Sequence, residues 1–229
     1  MTSQPASPAE EISRLREEIR KHEHLYYVLD QPEVSDAEFD RLMKGLQSLE
    51  AEHPELITAS SPSQRVGGVP REGVEKAAHS VAMMSLDNAF NEEEIREFDA
   101  RARERLAKEQ LDYVCELKLD GLSLAVRFSN GLLSLALTRG DGTTGEIVTE
   151  NAKTIRSLPL EINDAALKSA GLAGADFEVR GEVVMPLNSF QRVNSERLKA
   201  DQPAYVNPRN SAAGALRTLD AKITASRNL

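Results

Sequence analysis

Between Leu122 and Leu137 the chain alternates with period two, turns, and alternates again, and no other stretch restricts the fold so tightly. Leu122, Leu124, Val126 and Phe128 take every second place, Asn130-Gly131 follows, and Leu133, Leu135 and Leu137 carry the pattern back. Period two belongs to a strand with one buried face. Asn-Gly between two such runs predicts a two-residue hairpin with both turn residues at positive φ. Antiparallel strands are therefore expected over 122–129 and 132–139.

Just ahead of this hairpin stands Cys115-Glu116-Leu117-Lys118-Leu119-Asp120-Gly121. As a strand over 112–119 it would put Glu116, Lys118 and Asp120 on one face and Cys115, Leu117 and Leu119 on the other. Two meanings fit: a solvated ion pair worth less than about 1 kcal/mol, or a reactive amine at the point where a strand breaks. A lysine nucleophile must shed its proton, and with an ordinary pKa of about 10.4 only roughly one in 2,500 is neutral at pH 7. Flanking carboxylates stabilise the ammonium, so Glu116 and Asp120 do not activate Lys118. Desolvation, a metal or other cations must do that, which leaves the acids to orient the lysine or to bind ribose or metal.

The N-terminal part is helical in pattern. Ser7-Pro8-Ala9-Glu10 carries the residues of a capping box with proline in the first turn, and Ile12, Leu15, Ile19, His22, Tyr26 and Leu29 recur at three and four. A second box, Ser35 with Glu38, opens a helix bearing Phe39, Leu42, Met43, Leu46 and Leu49. Joined through Asp30-Gln31-Pro32-Glu33, the two predict a helical hairpin. Residues 58–73, rich in Ser, Pro and Gly, read as a linker, with a domain boundary near 70. Beyond it, a helix capped by Asn91 runs to about Lys108, a further strand is expected over 177–185, and helices around 146–156, 188–199 and 210–219. The class is α+β with largely antiparallel pairing.

Composition removes several functions. One cysteine and four histidines exclude a disulfide framework and a recognisable zinc site, and no apolar run has the length of a bilayer span or of a signal core. The expectation is a soluble, cytoplasmic chain. A net charge of −9 argues against a surface that grips DNA throughout. From Arg192 to Arg227, however, seven basic residues face three acidic ones, a net of +4, which marks a phosphate-facing surface or a solvated helix face. Gly140-Asp141-Gly142-Thr143-Thr144-Gly145 matches G-x-G-x-x-G, but that fingerprint needs a parallel βαβ unit. Here it follows the second arm of an antiparallel hairpin, so turn glycines explain it, with Arg139 beside them free to meet a phosphate. In Phe177 to Val183, Glu178, Arg180 and Glu182 share one face, the usual pattern of a solvated sheet face. Arg209 and Arg217, near a helix start at Asn210, suit phosphate binding as well as purely structural roles.

The K-L-D-G core resembles the K-x-D-G motif of the covalent nucleotidyltransferases, which comprise DNA ligases, RNA ligases and messenger RNA capping enzymes. Ser85-Leu86-Asp87-Asn88, T-R-G-D-G-T-T-G-E at 138–146, E-V-R-G-E-V at 178–183 and N-P-R-N at 207–210 narrow the match. In that order they resemble the bacterial NAD-dependent DNA ligases, from about Ile12 to Leu229. The resemblance implies that Lys118 attacks the α-phosphate of NAD, releases nicotinamide mononucleotide and becomes lysyl-AMP, and that AMP then passes to the 5′-phosphate of nicked duplex DNA in replication and repair. It implies nucleotide binding by Ser85, Leu86, Glu116, Asp120, Gly121, Arg139 and Glu182, and phosphate or DNA contacts by Arg209 and Arg217. Tyr26, Tyr27, Asp36, Phe39 and Asp40 fall on the nicotinamide side. Tyr27 stands where a histidine can occur, and Phe39 where tyrosine is usual, keeping the ring but losing the hydroxyl. Phe39 and Tyr26 also fit the apolar stripes of their helices, and Asp36 and Asp40 fit a solvated helix start.

By the same resemblance residues 1–70 form a helical domain binding NAD or nicotinamide mononucleotide. Residues 71–229 form a nucleotidyltransferase (ATP-grasp-like) adenylation domain, mainly antiparallel and truncated at its C-terminus. Mg²⁺ is implied, with Mn²⁺ as a substitute, and no zinc. A monomer without an obligate protein partner is expected. The family's later lysine motifs, oligonucleotide-binding domain, four-cysteine zinc module and helix-hairpin-helix repeats have no counterpart, so the chain is expected to be a ligase fragment and an incomplete catalyst. The alternative is a module that binds NAD or nicotinamide nucleotide without turnover.

Overall fold

A computed structural model describes residues 7–27, 31, 33–66 and 73–229. Helix α1 (Pro8–Tyr27) opens where Ser7 and Glu10 exchange hydrogen bonds, and α2 (Asp36–Glu52) opens on the reciprocal box of Ser35 and Glu38. Their apolar stripes meet, with Ile12, Leu15, Ile19 and Leu46 buried and Phe39, Leu42, Met43 and Leu49 packed around them. The expected hairpin is formed. Leu29, Asp30, Pro32 and the boundary near 70 lie outside the described residues.

Residues 58–66 are not a loose linker. Pro62–Val66 is a short 3₁₀ helix, and Ser60, Ser61 and Arg65 are buried. Glu50 accepts hydrogen bonds from Arg16, Ser61 and Ser63. The small polar residues that make the segment look like a loop are the partners of a buried carboxylate.

After β1 (Lys76–Ala78) and α3 (Glu92–Leu106) comes the hairpin of β2 (Leu122–Ser129) and β3 (Leu132–Thr138). Asn130 and Gly131 have φ of 49° and 78°, the primed turn that Asn-Gly predicts. Then follow β4 (Thr144–Glu146), α4 (Thr149–Lys153), α5 (Asp164–Ser169), β5 (Phe177–Val183), α6 (Leu187–Lys199), α7 (Pro208–Leu216) and α8 (Ala221–Ala225). The strand order β3-β2-β5 is antiparallel throughout, and β1 pairs antiparallel with β4. Beneath the larger sheet Leu124, Val126, Phe128, Ala136 and Val183 bury against Val148, Ala152, Ile155, Leu160 and Leu216.

The strand expected over 112–119 is absent: residues 111–120 have no regular structure, and Leu117 is 88% exposed. Alternation supplies two faces but not a neighbour to pair with. Both edges of β2 are taken, by β3 and by β5, and the segment pairs with the outer edge of neither. The helix expected over 146–156 shrinks to 149–153 because Glu146 closes β4 against Lys76. Two further helices differ by smaller steps. That expected over 210–219 starts earlier, at Pro208 on an Asn207 cap. The helix capped by Asn91 ends at Leu106, where Ala107 turns left-handed at φ 51°. Strands β1 and β4, three residues each, and helices α5 and α8 are too short to leave a periodic signal.

Candidate nucleotide site

The register of the larger sheet sorts its side chains into two faces. Opposite the core, β2 contributes Ser123, Ala125 and Arg127, β5 contributes Glu178, Arg180 and Glu182, and β3 contributes Leu135 and Leu137, with Arg139 just beyond its end. Alternation along E-V-R-G-E-V thus separates its charges from Phe177, Val179 and Val183, as the sequence implies.

Gly121 and Glu182 come together at one corner. A carboxylate oxygen of Glu182 accepts from the Gly121 N–H at 3.2 Å, and the other accepts from Ser123 Oγ at 2.8 Å. Only glycine fits this turn, since a Cβ on residue 121 would lie 2.2 Å from the Val183 carbonyl oxygen. Asp120, one residue earlier, pairs with Arg209 of α7 at 3.2 Å. Three segments distant in sequence, around Gly121, Glu182 and Arg209, therefore meet next to Lys118 in the chain. Lys118 and Glu116 are exposed, and among the described residues neither forms an ion pair.

At the same end of the face, just past the end of β3, Arg139 donates to Ser85 Oγ at 3.3 Å, while Leu86 is exposed. The glycine string beside Arg139 is a turn between β3 and β4, with Gly140 and Gly142 at φ 57° and 93°. The antiparallel strand β4, not a helix, follows it directly, which disposes of the dinucleotide fingerprint. Asp141 braces this turn. The Thr144 N–H, the Thr143 hydroxyl and the Thr143 N–H all donate to it, and they hold its carboxyl far below the usual range.

Arg217 is spoken for, pairing with Glu146 at 2.8 Å. The other arginines of the basic segment are also engaged within the chain. Arg192 and Arg227 meet Glu196, and Arg197 lies over the Tyr205 ring. A phosphate at Arg209 or Arg217 would share the guanidinium with a carboxylate.

In the helical pair Tyr26 and Asp40 are exposed, whereas the Phe39 ring packs into the hairpin core with the Arg156 guanidinium 5.8 Å from its centroid. The side chains of Tyr27 and Asp36 lie outside the described residues. The pair meets the rest of the chain through Arg20–Glu161 at 3.0 Å and through Arg65. Arg65 donates to Glu23 and to the carbonyls of Lys153, Ile155 and Leu158. Burial pushes the Glu23 carboxyl up, despite Arg65 beside it.

Comparison with known proteins decides the family. The model of the NAD-dependent DNA ligase adenylation domain matches residues 72–229, and that of the DNA ligase-like, N-terminal NAD+-binding domain matches residues 5–67. The chain belongs to the NAD-dependent DNA ligase family. Its ligase relatives include the DNA ligase of Koribacter versatilis, 53% identical over 227 residues, covering 99% of this chain and 34% of the relative. The DNA ligase of Acidobacterium capsulatum is 56% identical over 225 residues, covering 98% and 33%. That of Solibacter usitatus is 55% identical over 222 residues, covering 97% and 32%. This ligase chain spans about a third of the length of the curated relatives it matches.

Sequence motifs pointed to Lys118, Asp120, Arg139 and Glu182, but they did not single out Arg127, Glu178, Arg180 or His79, whose Nε2 meets the Arg139 carbonyl at 3.1 Å. The alternation of β5 was the available signal for two of these. What covers that face is a matter of tertiary contact.

Proposed function

We propose that this chain supplies the NAD-binding and adenylate-accepting part of an NAD-dependent DNA ligase, and that Lys118 takes the AMP. In the step envisaged, the neutral Nζ attacks the α-phosphorus of NAD. An N–P bond forms, the pyrophosphate P–O bond breaks, and nicotinamide mononucleotide leaves. AMP then passes from Lys118 to a 5′-phosphate at a nick, and the 3′-hydroxyl displaces it. The domains are residues 1–70 for the nicotinamide half and 71–229 for adenylation, the latter a nucleotidyltransferase of ATP-grasp-like type.

The observation that carries this reading is the convergence of Asp120, Gly121, Glu182 and Arg209 beside Lys118. Ser85, Leu86 and Arg139 extend the same face toward the nucleotide, Glu116 flanks the lysine, and Arg209 and Arg217 are assigned to phosphate or DNA. Tyr26, Tyr27, Asp36, Phe39 and Asp40 are assigned to the nicotinamide half. Among the described residues no three His, Cys, Asp or Glu side chains converge as a metal cage. A magnesium ion, which is commonly held by substrate phosphates and one or two carboxylates, needs no such cage. A second reading, binding of NAD without turnover, is favoured by the position of Lys118 in an exposed segment outside any strand ladder.

Intact-mass measurement after incubation with NAD and Mg²⁺, with calorimetry for binding, separates the readings. An AMP-sized increment that vanishes in Lys118→Ala supports transfer in this chain. NAD binding with no increment supports the second reading. An increment drawn from ATP instead of NAD, or no binding of NAD at all, overturns the substrate assignment.

A further inference from the structure

The face that carries Arg139 and Glu182 holds three more charged side chains, Arg127, Glu178 and Arg180, for which the ligase reading has no use. They form one unit. A single oxygen of Glu178 accepts from Arg127 Nε and from Ser80 Oγ, each at 3.0 Å, while the other accepts from Arg180 Nε at 2.9 Å. Held in this way, the two guanidinium groups turn away from the sheet. Arg127 Nη2 donates to the Ala78 carbonyl at 2.8 Å, and Arg180 donates to the carbonyls of Val81 and Ala82. All these acceptors, with Ser80 itself, belong to the strap 78–83.

Two facts give this unit a purpose beyond the sheet. First, β2 and β5 are already joined by an unbroken ladder from Leu122↔Val183 to Phe128↔Phe177, so their pairing does not depend on these side chains. Second, beyond β1 the strap has no regular structure, and Val81 is exposed. A segment without a ladder must find its hydrogen-bond partners elsewhere, and a guanidinium fork suits paired carbonyls. At its far end the strap is pinned by the Met83 N–H on the Gly142 carbonyl at 2.8 Å, with the Met83 side chain on Ala125 and Leu137. Two residues further on, Ser85 meets Arg139.

We propose that Arg127, Glu178 and Arg180 are positioning residues that hold the strap 78–83 and thereby set Ser85 and Leu86 against the Arg139 end of the sheet for nucleotide binding. This rests on the assignment of that face to NAD. Glu178 is the hub, because it orients both arginines.

The test pairs hydrogen exchange with NAD calorimetry on the 229-residue chain and on Arg180→Ala, Arg180→Lys and Glu178→Gln. In Arg180→Ala the Met83 amide should exchange about ten-fold faster, while Leu124 and Leu137 in the sheet stay protected, and NAD affinity should fall about ten-fold. Glu178→Gln should do the same. Arg180→Lys keeps the charge but not the fork, and should recover less than half of the loss. Weakened binding with an unchanged strap would mean that Arg180 meets the nucleotide itself and would overturn the positioning role. A loosened strap with unchanged affinity overturns it equally. If the parent chain binds no NAD, the assignment of the site fails first and takes the positioning role with it, a result distinguishable because the parent alone reveals it.

Discussion

Gly121 shows how one atom can decide a local conformation. A Cβ there would sit 2.2 Å from the Val183 carbonyl oxygen, and backbone cannot retreat as a flexible side chain can. Gly121→Ala should therefore cost about 1–3 kcal/mol, a fall in melting temperature of roughly 2–12 °C, measurable by calorimetry. Carboxylates supply the second prediction at this scale. Burial tends to raise Glu50 and Glu178. Hydrogen bonds outweigh it, from Ser61, Ser63 and Arg16 in one case and from Arg127, Arg180 and Ser80 in the other, and leave both below the usual range. A carboxyl lowered in the folded state contributes stability that is complete above its unfolded pKa of about 4.3 and is lost as pH falls through the lowered value. Glu23, raised by burial, works in the opposite direction. The melting temperature should hold from pH 7 to about 5 and drop below about 4. Glu50→Gln should lower it at pH 7 and flatten that acid limb. An unchanged limb in the variant would remove Glu50 from the account.

Among the α-helices, α3 stands apart because none of its residues is buried. Its support is local: the Asn91 cap, and the pairs Arg96–Glu92, Arg101–Glu97 and Arg103–Asp99 one turn apart. Such pairs contribute about 0.3–0.5 kcal/mol each, and a helix of this length is marginal without packing. Its amides should exchange well before those of β2, which is hydrogen-bonded on both edges. Asn91→Ala should weaken α3 by about 1 kcal/mol, visible as faster exchange over 92–106 with little change in global melting. The contrast between α1–α2 and α3 is instructive, since similar caps precede them all. The first two bury their apolar stripes against each other, whereas Ile95, Phe98 and Leu106 of α3 remain exposed.

Across the whole molecule, the helical pair and the sheet-bearing part are joined by one buried arginine more than by any other side chain. Arg65 spans Glu23 of α1 and three carbonyls that follow α4 or end it. Its loss would strand a buried carboxylate and remove donors from those carbonyls, which costs about 3–5 kcal/mol for a broken buried pair. Arg65→Ala should lower the melting temperature by roughly 6–20 °C and split a single transition into two. One unchanged transition would show that the parts are coupled by other means. Among the described residues no helix is long and apolar enough to cross a membrane.

Much of this chain was legible before any coordinates. Capping boxes, helical stripes and the Asn-Gly hairpin are set by contacts within a few residues, so local chemistry alone determines them. The K-L-D-G string and its companions identified the ligase family for the same reason, being short and contiguous. The tertiary structure decided what local pattern cannot encode, namely which edges of β2 were free, what covered the charged face of β5, and where Glu182 and Arg209 met the residues around Lys118. Alternation over 112–119 predicted a strand, but the segment pairs with none of the sheet's strands, and the Ser-rich stretch after α2 became the partner of a buried Glu50. In each case the outcome rests on groups far apart in the chain, whose pairing exists only once the fold has brought them together.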